Sequence, residues 1–284
     1  MHAISLDGKK IIFIGDSFVY YGKAVLDKSE SRYNDKGYFY QICKNNGCEV
    51  SVTNWTYGGK SIQYIYDHYM AELTDRYYDY VIINFGRHAV NTAAVCQEIW
   101  KDYIDFFRSV NPNVKFFALV GSGCHNISVE KTFPVDLLNN LSLFENMGIK
   151  IVDWGKLVAD VIRGEVVVPQ AEDHFDKNSF IVHRSDKDGY HPNMLTGYVT
   201  ALMTYCAMTG ESAVGQRYDF CCDTSVHTAY DANAFIALHY QMGSTNFAQI
   251  FESEKSMSGL QILIDRYLAQ KEYRDYRFSD EDEA

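Results

Sequence analysis

The sequence predicts a three-layer α/β/α sandwich, with helices covering both faces of a parallel sheet. Three observations predict it. Five short runs, Ile11 to Ile14, Glu49 to Asn54, Tyr80 to Phe85, Lys115 to Val120 and Lys150 to Asp153, read as strands, and most are apolar nearly throughout. A strand with one wet face alternates, whereas a strand apolar at almost every position needs cover on both sides. Segments of helical character follow most of these runs, which is the β-α alternation that supplies the cover. Finally, 284 residues that are 47% hydrophobic and 15% aromatic are enough to bury one sizeable core.

The first run follows Lys9 and Lys10 and stops at Gly15, so it reads as a buried strand feeding a tight turn. Apolar residues recurring at spacings of three and four predict helices roughly over Gly37 to Asn45, Ile62 to Leu73, Thr92 to Val110 and Val135 to Met147. From Glu165 to Lys187 periodicity fades among acidic residues, His174 and His183, which predicts a long loop of the kind that shapes a site. Beyond Pro192 and Asn193, the segment MLTGYVTALMTYCAMTG reads as a helix ended by Gly210. Gln216 to Gln270 looks mostly helical, and the final SDEDEA is a solvated acidic tail. The expected organisation is a main domain over 1–212 and a helical extension over 213–284 packed on it, without internal repeats.

Charge narrows the partners. Lys and Arg total 26 against 37 Asp and Glu, a formal net charge of -11. Such a field repels phosphate backbones and anionic lipid, so neither nucleic acid nor a membrane surface is an expected partner. Seven scattered cysteines, odd in number and including the adjacent Cys221 and Cys222, read as reduced thiols. With no apolar segment of signal or membrane-span character, the expected location is cytoplasmic. Assembly into a homo-oligomer is left open.

Two short patterns carry chemistry. Gly15-Asp16-Ser17 ends the first strand, where in a parallel α/β sheet sites form, and the turn lifts the serine to the top of the sheet. A serine there can be a nucleophile, or can simply cap the following helix. Asp188-Gly189-Tyr190-His191-Pro192 sets an aspartate three residues before a histidine, close enough to bond the imidazole Nδ1 and leave the other nitrogen for a serine. Alone it reads equally well as a helix-entry turn capped by Asp188. Together the two patterns supply a nucleophile, a base and the group that orients it.

In this order and context the patterns resemble the SGNH (GDSL-type) hydrolases, whose first block carries Gly-Asp-Ser after strand one and whose last carries Asp-x-x-His. The resemblance covers about Lys10 to Gly210 and implies a flavodoxin-like sheet in the order 2-1-3-4-5. It implies Ser17 as nucleophile, His191 as base and Asp188 as its partner in an esterase; if the rings that follow the nucleophile line its pocket, a small, acetyl or short-chain ester is expected, with a carbohydrate as a candidate alcohol portion. Asn54-Trp55-Thr56-Tyr57-Gly58-Gly59-Lys60-Ser61 looks like the family's glycine block, so the resemblance gives the Ser17 and Gly59 N–H groups to an oxyanion hole. Gly86-Arg87-His88-Ala89 departs from the usual Gly-x-Asn-Asp and sets His88 where the oxyanion asparagine is expected, with Asn91 a second candidate donor. A neutral imidazole still has one N–H to give. Losing one oxyanion donor costs roughly 2.7 to 4 kcal/mol, which slows an enzyme without changing its reaction.

Asp16, Phe18 and Tyr190 are the candidates for substrate contact, although Asp16 also shapes the turn. The rings of Phe18, Tyr20 and Tyr21 either line an acyl pocket or pack under the sheet edge. Neither a metal nor an organic cofactor is expected: Asp173, His174, Asp176, His183, Asp186, Asp188 and His191 crowd one stretch but lack the close histidine spacing of a helical zinc site. Cys124 beside His125 is a poor nucleophile-base pair because sequence neighbours point apart in extended chain. Gly121-Ser122-Gly123 lacks the Lys-Ser or Lys-Thr of a phosphate loop. The rival function is a catalytically weak relative that binds a ligand or partner through the same cleft.

Overall fold

The computed structural model describes residues 3–20, 26, 32–85, 92–121, 139–180, 192–222 and 247–269. Five strands, β1 (Lys10–Gly15), β2 (Ser51–Thr56), β3 (Tyr80–Asn84), β4 (Lys115–Leu119) and β5 (Ile149–Val152), form one sheet in the order β2-β1-β3-β4-β5, with every pair parallel. This is the expected sheet, with β1 between the edge strand β2 and the central strand β3. The register sets Gly15 beside Thr56 of β2 and Ile14 beside Ile83 of β3.

Side-chain alternation divides each strand between two cores. Ile12, Ile14, Val81, Ile83, Phe116, Ala118 and Ile151 face α3 (Ile62–Tyr69), α4 (Ala93–Arg108) and the short α5 (Ser142–Glu145). Ile11, Phe13, Val52, Ile82, Phe117, Leu119 and Val152 face α1 (Ser17–Tyr20), α2 (Tyr38–Asn45), α6 (Trp154–Ile162), α8 (Met194–Thr209) and α10 (Glu254–Ala269). The short α7 (Lys177–Phe180) and α9 (Phe247–Glu252) complete the second layer.

Local chemistry explains most boundaries. Ser61, Thr92 and Asp153 each accept an N–H at the start of α3, α4 and α6, satisfying a donor that has no carbonyl partner in the helix. Thr92 is therefore the cap of α4, and Gly37 the residue before α2. The expected Ile62 to Leu73 helix is α3 followed by a tighter turn over Met70–Glu72. β2 is displaced from its expected bounds and runs on through Thr56, because it pairs with β1 from Ser51 beside Lys10 to Thr56 beside Gly15. Helix α6 had no counterpart among the expected elements, although Trp154, Leu157, Val158 and Val161 have the i, i+3, i+4, i+7 spacing that buries it. Of the expected Val135 to Met147 helix, α5 is the principal described piece; 122–138 lie outside the described residues.

Helix α8 is buried at all sixteen of its positions. Its threonines survive there because Thr200, Thr204 and Thr209 donate their hydroxyls to the carbonyls of Thr196, Thr200 and Tyr205 one turn back. Gly210 ends the helix in the left-handed conformation (φ 78°), its N–H on the Cys206 carbonyl. The C-terminal helices complete this burial. Gln261 of α10 donates to the Tyr198 hydroxyl, Asp265 accepts from the Ala213 N–H, and Tyr267 donates to the buried Asp160 carboxylate, which Lys156 also pairs. Each large apolar side chain that α10 hides on α8 would cost about 1.5–3 kcal/mol if wetted. The C-terminal helices thus share one core with the sheet. Among the described residues no helix is long and apolar enough to cross a membrane.

Gly259 is where α10 crosses the backbone at Pro169, and a Cβ there would stand 2.0 Å from the Pro169 carbonyl oxygen. Gly259→Ala is expected to destabilise the protein by about 1–3 kcal/mol through forced displacement of α10, measurable as a lower urea midpoint.

Candidate functional site

The carboxyl ends of β1, β2 and β3 bring the first two sequence blocks together. Gly15 closes β1, and its required smallness is steric: a Cβ would lie 2.8 Å from the Asn84 Cβ of β3. The next residue, Asp16, is 2% exposed. Its Oδ1 accepts the Phe18 N–H at 3.1 Å and the Asn84 Nδ2–H at 3.0 Å, while its carbonyl accepts the Val19 N–H. Asp16 therefore caps the turn that carries Ser17. Ser17 opens α1 and is partly exposed.

On the other side of β1, the Tyr57 N–H donates to the Gly15 carbonyl at 2.8 Å, tying the chain after β2 to the chain before Ser17. Tyr57 to Lys60 form a turn closed by the Lys60 N–H on the Tyr57 carbonyl, with Gly59 at φ 70°. Negative φ at the third position is what most residues prefer, so this turn needs its second glycine. Nothing crowds the Gly59 Cβ position, so its constraint is conformational. At Gly58 a Cβ would meet the Tyr20 hydroxyl at 2.4 Å, so a larger residue there would push the tip of that ring aside. Gly58 and Gly59 are exposed, and Tyr20 reaches across α1 to the same turn.

Aromatic rings border this turn. Tyr57 stacks on Tyr69 at 3.8 Å, and the Arg32 guanidinium covers Tyr57 at 4.4 Å and donates to its hydroxyl at 2.6 Å. Lys60 stands 4.2 Å over Tyr64, which stacks on His68. Burial raises the Tyr57 phenol pKa, against a pull in the other direction from Arg32.

Of the substrate-contact candidates, Asp16 is occupied in shaping the turn, and the Phe18 ring lies in the core beside Val19. Packing, the second of its two expected roles, is the one observed. Tyr21 and Tyr190 lie outside the described residues, as do His88 and Asn91, the Cys124 and His125 pair, and Asp188 and His191. The described chain does bring the flanks of the last block together. Asn193 donates its N–H to the Phe180 carbonyl at 2.9 Å and its Nδ2–H to the Ser179 carbonyl at 2.7 Å, while its Oδ1 caps α8. The acidic residues before that segment have structural partners: Asp173 accepts from Ser256 and Asp176 from Ser179. His174 is exposed, and among the described residues no three His, Cys, Asp or Glu side chains group as metal ligands.

Sequence inspection passed over Asn84, a polar residue closing an otherwise apolar strand, and Asp35, a carboxylate 1% exposed under the end of β2. The first had a visible signal, since an asparagine is out of place in a strand buried on both faces.

The parallel sheet in the order 2-1-3-4-5, with a serine turn after β1 and a glycine turn after the edge strand β2, is the fold that the resemblance to the SGNH (GDSL-type) hydrolases implies. In sequence, neither a family model nor any curated protein matches this chain. In structure, it is similar to a protein assigned as a GDSL-like lipase from Parabacteroides merdae ATCC 43184. The TM-score is 0.53 at 15% identity, over 74% of this chain and 99% of that one. Two other similar structures are LAE5, an α/β hydrolase enzyme from the metagenome of Lake Arreo, and a catalytic mutant of Axe2, an acetylxylan esterase from Geobacillus stearothermophilus. LAE5 has a TM-score of 0.46 at 16% identity over 71% and 97% of the two chains. Axe2 has 0.45 at 15% identity over 74% and 98%. The Parabacteroides structure shows the shared fold.

Asn84→Ala removes one of the donors to the buried Asp16 carboxylate. The expected loss is about 1–3 kcal/mol of stability at neutral pH, read from urea unfolding. A variant as stable as the parent would mean that the bond does not hold the serine turn.

Proposed function

We propose that the protein is a serine esterase of the SGNH type, acting on a small ester without metal or organic cofactor. Ser17 attacks the ester carbonyl as His191 takes its proton; His191 then protonates the leaving alcohol, and water releases the acyl group by the reverse sequence. Asp188 orients His191 and stabilises its charged form. The Ser17 and Gly59 N–H groups receive the oxyanion, with His88 the third donor.

The observation that carries this proposal is the junction at Gly15. A partly exposed serine begins α1 directly after β1, and the glycine turn that would share the oxyanion is hydrogen-bonded to that strand's last residue. The Tyr20 hydroxyl packed against Gly58 and the rings around Tyr57 favour a small acyl group, acetyl or another short chain, over a long one. The alcohol portion is proposed to be a carbohydrate or another small metabolite. Buried Cys43, Cys48 and Cys206, which are free thiols, suit a reducing, cytoplasmic setting.

The test is hydrolysis of p-nitrophenyl acetate by the parent, Ser17→Ala and His191→Ala, all with chelator present. The expected result is activity in the parent and a loss of roughly 10³-fold or more in each variant, with a fluorophosphonate probe labelling only proteins that retain Ser17. Equal hydrolysis by Ser17→Ala would overturn the serine mechanism. An inactive, unlabelled parent would favour the ligand-binding alternative.

A further inference from the structure

Asn54 and Thr56 stand at the end of β2 on the strand face that Val52 buries, where apolar side chains would fill the space at least as well. Instead, a polar chain runs outward from them. The Thr56 hydroxyl donates to Asn54 Oδ1 at 2.5 Å, and the Thr56 N–H reaches the same oxygen at 3.2 Å. Asn54 Nδ2 donates to Asp35 Oδ2 at 3.0 Å, and Asp35 Oδ1 accepts the Gly37 N–H at 2.9 Å. All three side chains are at least nine-tenths buried.

The segment bearing Asp35 also lies against the outer edge of β2. The Asp35 N–H donates to the Val52 carbonyl, and the Asn54 N–H donates to the Arg32 carbonyl at 2.6 Å. The last residue of β2 is thus bonded to Asn54, which Asp35 holds in turn, and is paired on its inner side with Gly15. Tyr57, Gly58 and Gly59 follow immediately. Burying a carboxylate and an amide is expensive, and a well-packed apolar replacement for such a network often costs no stability. What directional bonds add is orientation, here at the base of the glycine turn.

We propose that Thr56, Asn54 and Asp35 are positioning residues that set the direction of the Gly59 N–H, so that it meets charge developing in the transition state rather than the bound ester. The proposal rests on the esterase reading for its catalytic consequence. Its structural half, control of the turn, stands apart from that reading and is measured separately.

Thr56→Val keeps the shape and removes the hydroxyl; Thr56→Ser restores the hydroxyl and removes a methyl. The expected result on p-nitrophenyl acetate is a kcat roughly tenfold lower for Thr56→Val with KM within about twofold of the parent, and a Thr56→Ser kcat within about threefold. Amide exchange at Tyr57 and Lys60, whose N–H groups anchor and close the turn, should be faster in Thr56→Val and parent-like in Thr56→Ser, with both variants folded by circular dichroism. An unchanged kcat in folded Thr56→Val, a rise in KM alone, or equal impairment of the two variants would each overturn the proposal. If the parent shows no Ser17-dependent hydrolysis, the esterase reading fails by itself. Exchange then decides the rest: faster exchange in Thr56→Val alone supports control of the turn, and unchanged exchange overturns it.

Discussion

The end of β1 has room for a hydrogen atom, and no side chain, on the side facing Asn84. That constraint organises the candidate site. With no Cβ at Gly15, β3 comes close enough for Asn84 to donate to Asp16, and Asp16 can turn its carboxylate to the Phe18 N–H. The Gly15 carbonyl is left to accept from Tyr57, which brings the chain leaving β2 to the same point. Ser17 and the glycine turn are neighbours because both are anchored to this one residue.

Strength at this junction comes from contrast with its surroundings. Lower in the sheet, cohesion is apolar and non-directional, with Ile12, Ile14, Val81 and Ile83 against α3 and α4 and Ile11 and Phe13 against the other layer. At the carboxyl edge the inward positions switch to Asn54, Thr56, Asp16 and Asn84, whose bonds have fixed lengths and angles. Hydrophobic packing holds the strands together but tolerates small slides; hydrogen bonds to a buried carboxylate do not. An active site needs the second kind of restraint within a few ångströms of the reacting atoms.

The second layer answers a different demand. A helix apolar on every side, as α8 is, cannot sit at a surface, and the C-terminal helices supply the missing cover. Their polar fastenings, Gln261 to Tyr198, Asp265 to Ala213 and Tyr267 to Asp160, are specific where the apolar contact is not. The core therefore continues across the boundary expected near residue 212.

The sequence by itself determined the layers, the parallel strands and the position of the serine turn, because burial on two faces and helical spacing are written in consecutive residues. It also marked Gly58 and Gly59 as a turn. Other features depended on neighbours far apart in the chain. That Gly15 is required by Asn84, sixty-nine positions later, that Asp35 supports the end of β2, and that Phe18 packs inward while Tyr20 reaches Gly58 follow from which strands lie side by side. Periodicity reports which face of an element is buried. Only the packed sheet decides which atoms meet there, since hydrogen bonds and steric limits act over a few ångströms of space whatever the separation in sequence.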